Sequence, residues 1–141
     1  MIFHSHFVRI YQEDVDAGGI VYHSNYLKYA ERARTEWLRG HNITQSTLLA
    51  HEKCQFVVSH LTVDYLKPAF LDEELEVRSG PATLRGIRLI IPQKIYRHEM
   101  LCVDMTVTLA LINEHGKPVR LPQYILVFSK PGKTKHEGGS T

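Results

Sequence analysis

Glu13-Asp14-Val15-Asp16-Ala17-Gly18-Gly19-Ile20-Val21-Tyr22-His23-Ser24-Asn25-Tyr26 joins a strand-like stretch to a helix-like one, and its reading decides the fold. Upstream, residues 7–12 alternate, Phe7, Arg9 and Tyr11 against Val8, Ile10 and Gln12, which is the period of a short strand. The two glycines interrupt the chain with residues that tolerate positive φ. Downstream, over about 24–39, the period turns helical. Tyr26, Ala30, Ala33 and Trp37 fall at i, i+4, i+7 and i+11 on one apolar stripe, and Lys28, Glu31, Arg32, Glu36 and Arg39 occupy the remainder. Ser24 or Asn25 stands where a cap belongs, and Gly40 ends the helix. The small side chains of Ala30 and Ala33 let the helix press closely on a sheet.

The rest of the chain reads as a short helix over 44–51 and then strands. Residues 56–65 are rich in β-branched and aromatic types, and 74–78 alternate with Leu75 and Val77 on one face. Residues 87–98 form another strand, in which Pro92 implies an edge position or a bulge. Leu101, Val103, Met105, Val107, Leu109 and Leu111 give the cleanest period of two, with the wetter Asp104, Thr106 and Thr108 opposite. Residues 124–129 extend the sheet or form a terminal helix. The expected architecture is α+β, one long helix against one strongly curved antiparallel sheet, in a single domain over 1–130 with a disordered tail over 131–141. One helix covers only one sheet face, so self-association is expected.

Composition removes several function classes. At 141 residues the chain fits one domain, and its net charge of +2, with Lys and Arg scattered, gives no basis for nucleic-acid binding. No apolar run approaches the ~18 residues of a membrane span, and the N-terminus lacks a signal-peptide layout. Cys54 and Cys102 have no CxxC spacing and read as core residues of a reduced, cytoplasmic protein. The nine histidines show no metal-ligand spacing: His4 and His6 sit at a frayed N-terminus, and His98, His115 and His136 fall in turns or the tail. No HExxH, GxxxxGK or GxSxG element occurs. No metal or redox cofactor is expected.

The chemistry therefore rests on the opening run. In an extended stretch Asp14 and Asp16 point the same way, shortly before an uncapped helix start that includes His23. A carboxylate on one side of a substrate carbonyl and helix N–H groups on the other suit acyl transfer. Residue types alone leave Asp14 and Asp16 as alternatives, and a well-made turn would use the same residues.

Together with Tyr29-Ala30-Glu31-Arg32-Ala33-Arg34-Thr35-Glu36-Trp37-Leu38, Val63-Asp64-Tyr65-Leu66-Lys67-Pro68-Ala69, Asp72-Glu73-Glu74-Leu75-Glu76-Val77 and Arg85-Gly86, the run resembles the YbgC branch of the 4-hydroxybenzoyl-CoA thioesterase family over about residues 7–129. The resemblance implies a hotdog fold, one helix wrapped by five or six antiparallel strands, assembled as a homodimer or homotetramer. It implies hydrolysis of acyl-CoA to free acid and CoA, with acyl carrier protein as an alternative carrier. It selects Asp16 as nucleophile or general base and His23 as donor of a backbone N–H to the thioester oxygen, its imidazole assisting. Gly19, Tyr22 and Tyr26, in the same run, become substrate contacts. Gln12 departs from the branch's usual Tyr, and Val15 from its common Thr.

Further candidates are Ser59 and His60 at the acyl pocket, and Arg85 and Arg88 toward the phosphates of coenzyme A. Asp64 and Tyr65 are expected to fix a strand end, and Glu31 to pair with Arg34 on the helix surface. Two rivals to thioester hydrolysis are a hydroxyacyl-thioester dehydratase, whose His-Phe-Pro segment is missing, and a non-catalytic acyl-thioester or acyl-carrier-protein binding module.

Overall fold

A computed structural model describes residues 3–126 and the short strand Lys130–Pro131. In chain order the elements are β1 (His4–Arg9), a 3-10 turn (Gln12–Asp14), α1 (Asn25–Arg39), α2 (Gln45–Glu52), β2 (Gln55–Tyr65), β3 (Glu74–Ser79), β4 (Thr83–Arg85), β5 (Arg88–Arg97), β6 (Met100–Ile112), β7 (Pro118–Val119), α3 (Gln123–Leu126) and β8 (Lys130–Pro131). The five longer strands form one antiparallel sheet in the order β1-β3-β5-β6-β2. The short pieces β4, β7 and β8 add to it, β8 running parallel to β4. The α+β reading holds. Of the two readings of 124–129, a helix covers Gln123–Leu126; residues 127–129, and 132–141 of the expected disordered tail, lie outside the described residues.

Helix α1 has 15 residues, about 22 Å of rise, so it is a helix of ordinary rather than great length. It packs on β1 and β3. The predicted stripe of Tyr26, Ala30, Ala33 and Trp37 is buried, and Tyr29 and Leu38 join it. Facing it are Val8, Leu75, Val77, Ile91, Ile95, Val103, Met105, Val107 and Leu109, all buried. Each large apolar side chain so placed contributes about 1.5–3 kcal/mol. Ser24 occupies the N-cap position but its side chain makes no capping bond.

Three expectations are corrected. Strand β1 starts and ends three residues before the expected 7–12: its alternation runs back through His6 and His4, which register with Val77 and Ser79, so the HxH pair is not frayed. Pro92 lies in a central strand, β5, not at an edge or bulge. A residue in an antiparallel strand aims its N–H and C=O at the same neighbour, and the Pro92 carbonyl accepts from Gly80 N–H at 2.9 Å. The missing Pro N–H therefore faces the break between β3 and β4, where no ladder bond is lost. The third correction is that Asp14 and Asp16 do not share an extended stretch, because the 3-10 turn contains Asp14.

Strand β2 is paired on one side only, with β6. Register with β6 puts Val58, Leu61, Val63 and Tyr65 on the same face as the buried Leu109, Val107, Met105 and Val103. Yet Val58 and Tyr65 are each 47% exposed and Leu61 is 36% exposed, because α1 packs on β1 and β3 toward the opposite edge of the sheet. Among the described residues no helix is long and apolar enough to cross a membrane.

Candidate active site

The opening run folds into a miniature hairpin. Val15 and Val21 form an isolated antiparallel bridge, and inside it Asp16 N–H donates to Ile20 O at 2.9 Å and Gly19 N–H to Asp16 O at 3.0 Å. The Asp16 carboxylate closes the loop through one oxygen: Oδ1 accepts from Gly18 N–H at 2.9 Å and Ile20 N–H at 3.2 Å. Its Oδ2 meets no donor among the described residues, and the side chain is exposed. Gly19 is needed here, because its φ of +80 is one that side chains disfavour, whereas a Cβ on Gly18 would make only an ordinary contact, 3.4 Å from the Asp16 Oδ1.

Asp14 plays a different part. Its Oδ2 accepts from Tyr11 N–H at 2.9 Å. Its carbonyl accepts from Tyr22 N–H at 3.0 Å and from Asn25 Nδ2 at 2.8 Å. The Asn25 side chain therefore ties the start of α1 to the 3-10 turn leading into Asp16, rather than capping the helix. Asp14 also faces the phenol of Tyr29. Burial first, and then that carboxylate, push the Tyr29 pKa well above the tyrosine range, while its hydroxyl makes no hydrogen bond of acceptable geometry.

His23 precedes α1 with its side chain exposed. Asn25 N–H is taken by Tyr22 O and Tyr22 N–H by Asp14 O, but neither the His23 nor the Ser24 N–H meets an acceptor among the described residues. These are the free donors of a helix start. The His23 ring contacts those of Tyr22 (centroids 4.5 Å) and Tyr65 (6.0 Å). Tyr65 Oη donates to His23 O at 3.2 Å.

A cleft of about 230 Å³ opens here, lined by Ile20, Val21, His23, Tyr26, Tyr65, Leu66, Lys67 and Pro68. Asp16 is not among the lining residues; it stands one hydrogen bond away, on the Ile20 N–H. Tyr26 is buried at the cleft wall, and burial pushes its phenol up to about 12, so it stays protonated. Arg97 braces the far lip by donating to Pro68 O at 2.9 Å and pairing with Glu73 at 3.3 Å.

Thus Asp16, Gly19, Tyr22, His23 and Tyr26 share one neighbourhood. Ser59 does not share it within one chain. It lies six residues from Tyr65 on β2, roughly 20 Å along the strand, its Oγ donating to Thr108 O at 3.3 Å; His60 is exposed beside it. Arg85 and Arg88 face each other across the β4–β5 turn. Arg88 registers with Ala110, whereas the cleft segment hangs on Cys102 O, eight residues or about 26 Å along β6. Glu31 and Arg34 do not form the expected ion pair: Arg34 turns inward and donates to Gln93 Oε1 at 2.9 Å. Tyr65 and Lys67 were not expected to line the cleft. Their signal was position, since a strand end four residues before buried Ala69 must border whatever Ala69 packs against. Among the described residues no group of three or more His, Cys, Asp and Glu is placed to hold a metal ion.

Comparison with known proteins follows the same residues. A model of the thioesterase-like superfamily matches residues 10–128. The acyl-CoA thioesterase YbgC of Haemophilus influenzae is 41% identical over 119 residues, 84% of this chain and 88% of that one. The acyl-CoA thioester hydrolase YbgC of Escherichia coli is 41% identical over 125 residues, 87% of this chain and 92% of that one. A crystal structure of a probable thioesterase from Bartonella henselae superposes with a TM-score of 0.82 at 39% identity, covering 86% of this chain and all of that one.

Proposed function

The chain belongs to the thioesterase-like superfamily, and on that premise we propose that Asp16 and the start of α1 carry out its reaction. It has the hotdog fold of its structural neighbours and is an acyl-CoA thioesterase, releasing free acid and CoA. The dehydratase and binding-module readings are not favoured. In our reading the thioester lies in the His23–Tyr65 cleft, its carbonyl oxygen toward the free His23 N–H and its carbon toward the Asp16 Oδ2. The observation that carries this is the division of labour on one carboxylate, Oδ1 held by two backbone N–H groups and Oδ2 open. Asp16 attacks the carbon directly or draws a proton from water. The developing oxyanion is met by backbone donors that need no reorganisation. The thiolate is a good leaving group, so the His23 imidazole assists rather than decides. Gly19, Tyr22 and Tyr26 shape the loop and the cleft wall around the substrate.

We also read the chain as a homo-oligomer, a dimer or a tetramer of such pairs. Support comes from β2, 11 residues long, unpaired along one edge among the described residues and apolar on its exposed inner face. Antiparallel self-pairing there would lay the first half of a second β2, which carries Ser59, beside the half bordering the cleft. Arg85 and Arg88 remain candidates for the phosphates of coenzyme A across such an assembly. CoA is the carrier we favour over acyl carrier protein. Two free cysteines suit the reducing cytoplasm. A thiol-release assay over acyl-CoAs of graded chain length and benzoyl-type thioesters tests the proposal, with Asp16→Asn as control. Turnover of at least one substrate well above the control is expected. Equal rates across the panel would overturn it.

A further inference from the structure

The His23 carbonyl is left out of the hydrogen bonding of α1. Ser24 already has helical dihedrals, φ −71 and ψ −18, and makes no side-chain cap. A regular helix would run back one step from there and take the His23 carbonyl as acceptor for the Leu27 N–H, four residues on. Instead the Leu27 N–H donates to Ser24 O at 3.2 Å, and no backbone N–H reaches the His23 carbonyl among the described residues. Its partner is the Tyr65 hydroxyl, 3.2 Å away in space and 42 residues along the chain.

Tyr65 stands on a rigid mount. It closes β2 opposite Val103, and the N–H groups of the next two residues, Leu66 and Lys67, both donate to Cys102 O, at 2.8 and 3.1 Å. Its ring lies against Tyr26 (centroids 5.8 Å) and meets the His23 ring at 85°. The side chain is half exposed, so water could satisfy the hydroxyl and burial does not enforce the bond to His23. At 3.2 Å that bond is longer than the about 2.7–2.8 Å usual between two oxygens, as catalytic contacts often are before substrate binds. The preceding peptide is held as well, since Tyr22 O accepts from Asn25 N–H at 2.9 Å. His23 thus joins two peptide planes, each anchored through its carbonyl, and the N–H of the first plane is the free donor.

We propose that Tyr65 is a positioning residue for thioester hydrolysis: its hydroxyl withholds the His23 carbonyl from α1 and so keeps the His23 N–H fixed toward the thioester oxygen. Once released, the carbonyl would go to the Leu27 N–H, α1 would lengthen at its start, and the His23 backbone would turn with it. A donor set in place beforehand needs no reorganisation as charge develops on the oxygen. The role rests on His23 N–H being the oxyanion donor, and goes beyond that assignment by naming the group that holds it.

The test is Tyr65→Phe in the full chain, which keeps the ring against Tyr26 and His23 and removes only the hydroxyl. In thiol release on the best substrate, kcat should fall about tenfold while KM stays within about twofold, because a small misplacement of a reacting group acts on the rate. Two inert analogues give a second readout, S-2-oxoalkyl-CoA with a carbonyl and S-alkyl-CoA of the same length without one. Tyr65→Phe should weaken the first roughly three- to tenfold, the loss of one neutral hydrogen bond, and leave the second unchanged. Tyr65→Leu removes the ring too. Wild-type kcat in Tyr65→Phe, with loss confined to Tyr65→Leu, would mean that the ring only lines the cleft, and overturns the proposal. Equal weakening of both analogues does the same. Thiol release by the unaltered chain reports separately on the hydrolase reading, so turnover that survives unchanged in Tyr65→Phe sinks this proposal alone.

Discussion

Replacing Asp16 by asparagine separates the chemistry of the loop from its architecture. The amide oxygen of the new side chain can still accept the Gly18 and Ile20 N–H groups that Asp16 Oδ1 holds at 2.9 and 3.2 Å. What changes is the charge on those bonds and the identity of the open atom, now an amide nitrogen. Bonds to a charged acceptor are worth about 1.5–3 kcal/mol and neutral ones about 0.5–1.5. The loop should therefore lose about 1 kcal/mol, a fall in melting temperature of a few degrees for a chain of this size. Activity should fall far more. Loss of a single oxyanion donor typically costs ~10²–10³ in rate, and the group that attacks should cost at least ~10³ in kcat. His23→Ala removes the imidazole but leaves the backbone N–H, so it should cost only about tenfold, below the range for an essential acid–base group. The assay is thiol release on the best substrate of the panel, with thermal unfolding run on the same samples. Comparable residual kcat in the two variants would refute the assignment. So would an Asp16→Asn protein that loses activity only in proportion to lost folded material.

Three further outcomes are expected. Asn25→Ala removes the 2.8 Å bond to the Asp14 carbonyl, which still accepts from Tyr22; kcat should fall ~10-fold or more at near-constant KM, since a small misplacement of reacting groups can cost up to ~10², and an unchanged kcat would show that the tie does not position the site. Tyr29→Phe deletes a buried hydroxyl without a hydrogen bond, so stability should hold or rise by up to about 1 kcal/mol; a clear fall in melting temperature would show that the phenol is bonded to Asp14. His4 and His41 have pKa values held below the usual histidine value, chiefly by burial, so the unfolded chain binds more protons. Stability should therefore be fully present above about pH 6.5 and be lost as pH falls through the folded values. Denaturant titrations at pH 7.5 and 5.5 should show this loss reduced in a His4→Gln, His41→Gln double variant, and an identical loss would contradict it.

The residues of the helix stripe were legible because a 3.6-residue period needs no partner to define it: Tyr26, Ala30, Ala33 and Trp37 are buried as read. The outer boundary of β1 was not, because His4 and His6 are polar residues that face inward only once Val77 and Ser79 lie beside them. The Asp16 loop was legible as a carboxylate before paired glycines. Its real geometry, one oxygen bound and one open, follows from a bridge between Val15 and Val21 that no local pattern encodes. The same holds for Glu31 and Arg34, spaced correctly for a surface pair yet separated because buried Gln93 draws the arginine inward.

By itself the sequence determined the α+β class, the helix and its buried face, the clean strand β6 and the run that bears the chemistry. Those features depend on spacing along the chain, where periodicity and φ preference act within a few residues. Only the tertiary structure decided where Pro92 could sit, that Asn25 ties the helix start to Asp14, that Tyr65 reaches the His23 carbonyl, and that Arg34 turns inward to Gln93. Each of these joins residues far apart in the chain, or depends on which of several available partners a polar group finds, and packing alone makes that choice.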